Sequence, residues 1–202
     1  MTEAVQNIIR KEFFDNHAVN WNENNHSEES ISSAKKLLER VILSFGMKVL
    51  DVGCGQGIII PYLYEKIGDK GEILALDLSS KMLQGLIQRY PYAKTINADV
   101  HNVPLPDCSI DIITCFCAFP HFANKNLVAK EFYRLLVPNG KIYILHNVGR
   151  ENLNKLHDKY EAVCGDHLPC PIGIQKIFGS AGFKNMQVDE SSEHYYFCAI
   201  KD

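Results

Sequence analysis

Val49-Leu50-Asp51-Val52-Gly53-Cys54-Gly55-Gln56-Gly57 carries a buried-strand pattern straight into glycines at alternate positions, with a helix-compatible run directly after. Missing side chains let the backbone turn tightly there and let a ligand approach a helix N-terminus. A dinucleotide fingerprint, GxGxxG, needs its third glycine at position 58, where Ile58 stands; the spacing here is G-x-G-x-G. Asp51, two residues before the first glycine, would be awkward beside a pyrophosphate. It suits a ligand that carries positive charge at that end.

Outward from this loop the chain alternates two periods. Apolar runs at 48–52, 72–76, 93–98, 110–116 and 141–145 read as buried strands, with helical spacing between most of them, as in Met82, Leu83, Leu86, Ile87 and Tyr90. Strand alternating with helix predicts βαβ units and a parallel sheet covered on both faces. The tail differs. A helix over 172–181 stops at Gly182, and runs at 183–188 and 194–200 predict a closing antiparallel hairpin. The expected fold is therefore α/β, a Rossmann-like doubly wound sheet of seven strands, mostly parallel with an antiparallel C-terminal edge strand. On the N-terminal side, Val5, Ile8, Ile9 and Phe13 predict a short amphipathic helix, followed by a polar loop over 20–30. Apolar residues from Ile31 to Phe45 predict a second helix with Ser27 as its N-cap.

Twenty residues after Gly57, Asp77 closes the second strand run, and Asp99 closes the third. A carboxylate at the first of these places can accept two hydrogen bonds from ribose hydroxyls. One at the second can accept from an adenine amino group, with the Val100 N–H bonding a ring nitrogen. Any one of the three aspartates alone could be a helix cap or a solvated turn. Together, three successive strands deliver Asp51, Asp77 and Asp99 to one crevice at their carboxyl ends.

Composition bounds the rest. The chain has 202 residues, 46% hydrophobic and 22% charged, so it can bury a core without disulfide or metal staples. A net charge of −3 gives no footprint for a phosphate backbone, so nucleic acid is not expected as a partner. No run reaches the ~20 apolar residues of a membrane helix, the N-terminus lacks a signal-like apolar core, and membrane association is not expected. Seven cysteines cannot all pair within one chain, none stands in a CxxC, and a cytoplasmic setting with free thiols is expected.

Residues 49–57, Asp77, Asp99 and the turn Val137-Pro138-Asn139-Gly140 together resemble a class I S-adenosylmethionine-dependent methyltransferase, in its small-molecule, quinone-biosynthesis-like branch. The resemblance implies S-adenosyl-L-methionine as cofactor, with Gly53, Gly55 and Gly57 beside its methionine moiety. It implies Asp77 at the ribose, and Asp99 with Val100 at the adenine. The full expected cofactor set adds Asp51, Cys54, Gln56, Leu78 and Cys115. Phe13-Phe14-Asp15 with Trp21 looks like the aromatic N-terminal lid of that branch. Where the family usually has Pro-Gly-Gly this chain has Asn139, which tolerates left-handed angles, so the change should be mild. A single domain over 1–202 is expected, with 1–30 as N-terminal helix and lid and 31–202 as catalytic core.

Methyl transfer from a sulfonium needs orientation and exclusion of water, and needs a base only where the acceptor must lose a proton. His121 follows the fourth strand and His146 ends the fifth, so both are candidate bases, although either could simply bond a loop carbonyl. Trp21, Cys117, Arg150 and His157 are candidate acceptor contacts. Cys115 and Cys117 share a strand face by the period of two. Arg150, Asn154 and His157 recur at helical spacing, which fits a pocket face or a charged surface. The thiols show no metal-ligand spacing, and no metal is expected. The expected partner is a small-molecule acceptor, with oligomeric state open. The other readings of the loop are a non-catalytic S-adenosylmethionine-binding or sensor module and a nucleotide-cofactor oxidoreductase. Against the last, the Tyr-x-x-x-Lys pairs at Tyr62/Lys66 and Tyr90/Lys94 come too early to reach the site.

Overall fold

The computed structural model describes residues 3–18 and 28–202. In chain order its elements are α1 (Glu3–His17), α2 (Glu28–Leu38), β1 (Lys48–Val52), α3 (Ile60–Ile67), β2 (Glu72–Asp77), α4 (Ser80–Arg89), β3 (Lys94–Asn97) and β4 (Ile110–Phe116). There follow α5 (Lys125–Leu135), β5 (Leu136–His146), α6 (Arg150–His157), α7 (Pro171–Ala181), β6 (Lys184–Glu190) and β7 (Tyr195–Ile200).

The strands form one seven-stranded sheet in the order β3-β2-β1-β4-β5-β7-β6. β1 to β5 run parallel, and β7 runs antiparallel to both of its neighbours. The C-terminal strand is antiparallel as the tail predicts, but it sits one place in from the edge, which β6 occupies. Composition explains the choice. β7, Tyr-Tyr-Phe-Cys-Ala-Ile, is buried along nearly its whole length and needs a layer on both faces. β6, Lys-Asn-Met-Gln-Val-Asp-Glu, is half solvated and charged, which suits an edge.

Period-two alternation sends each strand's side chains into two cores. Leu50, Val52, Leu74, Leu76, Ile113 and Ile144 face a layer built on α5 and α7, where Phe132 and Phe178 are fully buried. Val49, Ile73, Ala75, Ile112, Tyr143 and Leu145 face a layer built on α2, α3 and α4. Asn139 takes φ 63°, the left-handed conformation expected of it.

Two expectations about the N-terminal region change. α2 ends at Leu38, so Val41, Ile42 and Phe45 lie beyond it, and Ile42 and Phe45 are exposed. The Leu38 carbonyl is taken by the Tyr62 hydroxyl (2.8 Å) and the Val41 N–H, which closes the helix in a tight turn. The Ser27 cap and Trp21 lie outside the described residues. α1 forms as predicted but docks by a different face. Val5, Ile8 and Ile9 are exposed, whereas Arg10 is buried at 8% exposure. Polar pairing, described below, decides which side of this helix faces inward.

Phe178 meets the rings of Phe119, Phe183 and Phe197 with centroids 4.7–5.8 Å apart, at the centre of the α5–α7 core. Phe178→Ala should lower unfolding free energy by about 3–5 kcal/mol in urea denaturation.

Candidate functional site

Strand order reverses at β1, which has β2 on one side and β4 on the other, so the loops after β1 and β4 part and leave a crevice. The β1 loop is tied to β2, with the N–H groups of Gly53 and Cys54 both donating to the Leu76 carbonyl (2.8 and 3.1 Å). Gly53 has φ 65°, and a Cβ there would lie 2.3 Å from the Ala118 Cβ. Only glycine lets the two loops pass so closely. Gly57 is used differently. It does not line the crevice, and a Cβ on it would meet Ile60 at 2.9 Å and Tyr90 at 3.0 Å, so its role is to seat the start of α3.

The crevice encloses about 330 Å³. Gly53, Cys54, Gly55 and Gln56 line one part of it, and Asp77, Leu78, Asp99 and Val100 line the next. Asp51 lies just beneath, 1% exposed, where it accepts a 2.9 Å hydrogen bond from the Thr114 hydroxyl. Burial pushes its carboxyl up to about 7; the Thr114 bond opposes the rise and the nearby Asp77 charge adds to it. Asp77 accepts from the N–H groups of Gly55 (2.9 Å) and Ser79 (2.8 Å). Burial raises its carboxyl too, against those two bonds. Two carboxylates are thus held close together in a poorly hydrated place, and a cationic group would relieve both.

Asp99 accepts from Asn7 Nδ2 (2.9 Å), from the His101 N–H (3.0 Å) and from His101 Nδ1 (2.5 Å). His101 Nε2 accepts from the Asn124 N–H, which puts the ring hydrogen on Nδ1. Cys115 does not reach the crevice; it is fully buried in the α5–α7 core. Cys117 does reach it. β4 ends at Phe116 and Cys117 turns to φ 53°, so the two cysteines do not share a face.

The other wall comes from α1 and α6. Asn7, Arg10 and Phe14, spaced i, i+3, i+7 on one face of α1, line the crevice. That polar spacing was the available signal for Asn7 and Arg10, which the apolar pattern of α1 hid. Asp15 accepts from the Ser79 hydroxyl (2.5 Å) and Gln56 donates to the Ala18 carbonyl, anchoring the helix end. Arg10 pairs through Nε and Nη2 with the buried Asp166 carboxylate, which also meets His121 Nδ1 at 2.9 Å.

His121 and His157 line the crevice, with ring centroids 4.9 Å apart. His146 does not. It continues the Ile142, Ile144 face of β5 into the α5–α7 core, is 1% exposed, and its Nε2 has no hydrogen-bond partner among the described residues. Burial, with His121 and His157 adding, drives its pKa down to about 3, so it stays neutral. Arg150 is also elsewhere, bound to Glu190 through Nε (2.8 Å) and Nη2 (3.2 Å) at the β6 end. The shared face of Arg150, Asn154 and His157 is real, but it grips protein. Asn154 bonds both backbone groups of Leu168, and His157 Nδ1 meets the Asp166 carbonyl at 2.6 Å. Among the described residues no group of three or more His, Cys, Asp or Glu is placed to hold a metal ion.

Residues 50–144 match the family model of a methyltransferase domain. A ubiquinone/menaquinone biosynthesis C-methyltransferase of Shewanella sp. (strain W3-18-1) is 29% identical over 126 residues, which cover 57% of this chain and 49% of its own length. The chain spans about half the length of the curated relatives it matches. An S-adenosylmethionine-dependent methyltransferase of Thermotoga maritima superimposes with a TM-score of 0.78 at 16% identity, over 95% of this chain and 99% of that one. The methyltransferase of a Haloferax volcanii complex with the Trm112 methyltransferase activator gives a TM-score of 0.77 at 20% identity, over 93% and 97%. At these identities the two solved structures establish the fold.

The raised Asp51 carboxyl has a measurable consequence. Between pH about 4 and 7 the folded protein holds a proton that the unfolded chain releases, so stability falls as pH rises through that window. Asp51→Asn should remove this loss, flattening the thermal midpoint against pH there, with a gain of a few kcal/mol at pH 7. An unchanged pH profile in the variant would show Asp51 to be ionised throughout.

Proposed function

Because residues 50–144 match a methyltransferase domain and the chain is similar over 126 residues to a quinone-biosynthesis C-methyltransferase, we propose that it is a class I S-adenosylmethionine-dependent methyltransferase of that type, transferring a methyl group from S-adenosyl-L-methionine to a small-molecule acceptor held in this crevice. The observation that carries the reading is the pair of carboxylates beside a glycine loop, Asp51 buried and Asp77 half-buried at the crevice wall, both raised by poor hydration. The methyl donor brings an ammonium and a sulfonium, the charges that such a pair takes. When bound it supplies a methyl group on a sulfur that leaves as a neutral thioether.

The residues present fit that donor. The Gly53–Gly55 backbone leaves room for the methionine end, with Asp51 beneath it. Asp77 keeps lone pairs for the ribose hydroxyls while its backbone bonds hold the carboxylate in place. Asp99, turned inward by the Asp99–His101 bond, and the Val100 N–H suit the adenine edge. The Asn7 amide now on Asp99 would yield to the adenine amino group, which makes the same bond. Phe14 offers an aromatic face worth about 0.5–2 kcal/mol to a nearby cation.

The acceptor would lie toward Phe14, His121, Phe122, Leu153, Leu156 and His157, a largely apolar end closed by α1 and α6. Such an enclosed end favours a small molecule over a polymer. Of the acceptor contacts expected from sequence, Cys117 and His157 remain in this reading. Residues 31–202 act as the catalytic unit and the N-terminal helix as its cover. The Haloferax relative's complex with an activator makes a protein partner for this chain a second proposal. A cytoplasmic setting accords with the seven free cysteines, and among the described residues no helix is long and apolar enough to cross a membrane.

Equilibrium dialysis with methyl-labelled S-adenosylmethionine tests the reading. Saturable uptake that NAD does not displace is expected, weakened at least about tenfold by Asp77→Ala, the scale of lost hydrogen bonds to a charged group. Absence of saturable uptake by the wild-type protein would overturn it.

A further inference from the structure

Five ionisable groups from five separate segments meet behind the acceptor end of the crevice. They are Arg10 of α1, His121 after β4, His146 of β5, His157 of α6 and Asp166 before α7, with Lys125 of α5 nearby. Asp166 organises them. Its carboxylate is 5% exposed and accepts from Arg10 Nε (3.0 Å) and Nη2 on one side and meets His121 Nδ1 (2.9 Å) on the other. Its own backbone is fixed, with the N–H on the Val163 carbonyl (2.9 Å) and the carbonyl against His157 Nδ1 (2.6 Å). Burial alone would raise this carboxyl, but the bonds from His121 and Arg10 hold it below the usual range, so it is ionised and can only accept.

An acceptor-only carboxylate dictates the tautomer of its partner. The hydrogen of neutral His121 must sit on Nδ1, and the lone pair on Nε2. His121 lines the crevice, and among the described residues its Nε2 makes no hydrogen bond. Burial lowers the His121 pKa, the Asp166 bond and charge raise it, and His157 and Arg10 lower it again, leaving the ring neutral at pH 7. The result is a ring oriented by a buried carboxylate, with a basic nitrogen open to the reacting space.

We propose that Asp166 is a positioning residue that sets His121 with its Nε2 lone pair toward the crevice, so that the site serves acceptors whose nucleophilic atom carries a removable proton, of the phenol or enol hydroxyl kind. His121 Nε2 takes the proton that the hydroxyl oxygen loses as that oxygen gains the methyl group. The former carbon–sulfur bonding pair stays on sulfur, and the imidazolium formed faces the Asp166 carboxylate. A neutral amine can take the methyl group before it loses a proton, whereas a hydroxyl oxygen becomes a strong nucleophile only as a base removes its proton, so a base set in this way favours an oxygen acceptor. The proposal rests on the methyl-transfer reading of the crevice.

The test reads the histidine rings directly and needs neither methyl donor nor acceptor. Long-range 1H–15N spectra of the ¹⁵N-histidine-labelled protein, with His121 assigned by its absence in His121→Gln, should show a hydrogen on Nδ1 and a bare Nε2. On titration, Asp166→Asn should lower the His121 proton affinity by roughly tenfold or more, since an opposite charge at this range shifts a pKa by 1–3. The Asn amide can also donate to Nδ1, moving the hydrogen to Nε2. Arg10→Gln should shift the same titration the other way, raising the affinity. A general loosening of the site would move both variants in one direction. If Asp166→Asn does not fold, the wild-type tautomer and the Arg10→Gln shift decide. A hydrogen on Nε2 in the wild type, or a titration that Arg10→Gln lowers or leaves unmoved, would overturn the proposal. Failure of S-adenosylmethionine to bind would instead overturn the methyl-transfer reading and leave the histidine result standing.

Discussion

Asp51 and Asp77, held together at neighbouring strand ends with little water around them, set the terms for the rest of the site. Each carboxyl is raised by burial; the Asp77 charge adds to the rise at Asp51, and the Asp15 charge of α1 adds to the rise at Asp77. The fold does not separate them, because β1 and β2 are adjacent and parallel, with Val52 opposite Leu76. It does not discard them either. It spends the Thr114 hydroxyl and the N–H groups of Gly55 and Ser79 on them. A site that concentrates negative charge at this expense is built for a ligand that brings positive charge, and a sulfonium beside an α-ammonium does so.

That electrostatic demand links the two ends of the molecule. α1 reaches the site by three polar contacts, Asn7 on Asp99, Arg10 on Asp166 and Asp15 on Ser79, and by the Phe14 ring set edge-on against His121 (centroids 5.2 Å). Its apolar residues Val5, Ile8 and Ile9 face away. At Asp99 the Asn7 amide holds the place that an adenine amino group would take, whereas the buried Arg10–Asp166 pair ties the helix to the core. On the other side of the crevice, Asp166 joins the same helix to His121. The cover and the reacting space are therefore held by one carboxylate.

The sheet was legible because its strands alternate or run apolar in the way buried parallel strands must, and β1 and β4 were placed to the residue. The glycine loop and the aspartates at 77 and 99 were legible because strand ends in an open α/β sheet converge on one crevice. What escaped was what the period cannot carry. Cys117 leaves its strand through a left-handed angle, so the pairing with Cys115 failed one residue past β4. His146 stands at a strand end, yet alternation turns it into the core. Arg150 sits on the face its spacing gives it, but Glu190, forty residues later, claims it. Asp166, in an irregular stretch between α6 and α7, had no local pattern at all; its significance lies in Arg10 and His121, brought from 156 and 45 residues away.

On this account the buried, proton-holding Asp51 and the half-buried Asp77 beside it receive a cationic adenosyl ligand. Calorimetric titration of S-adenosylmethionine at pH 6, repeated in two buffers of different ionisation enthalpy, measures it most directly. At that pH Asp51 is largely protonated, so binding should be one-to-one and should expel up to one proton, seen as a buffer-dependent heat that disappears in Asp51→Asn. Heat that is the same in both buffers, or no binding heat at all, would contradict it.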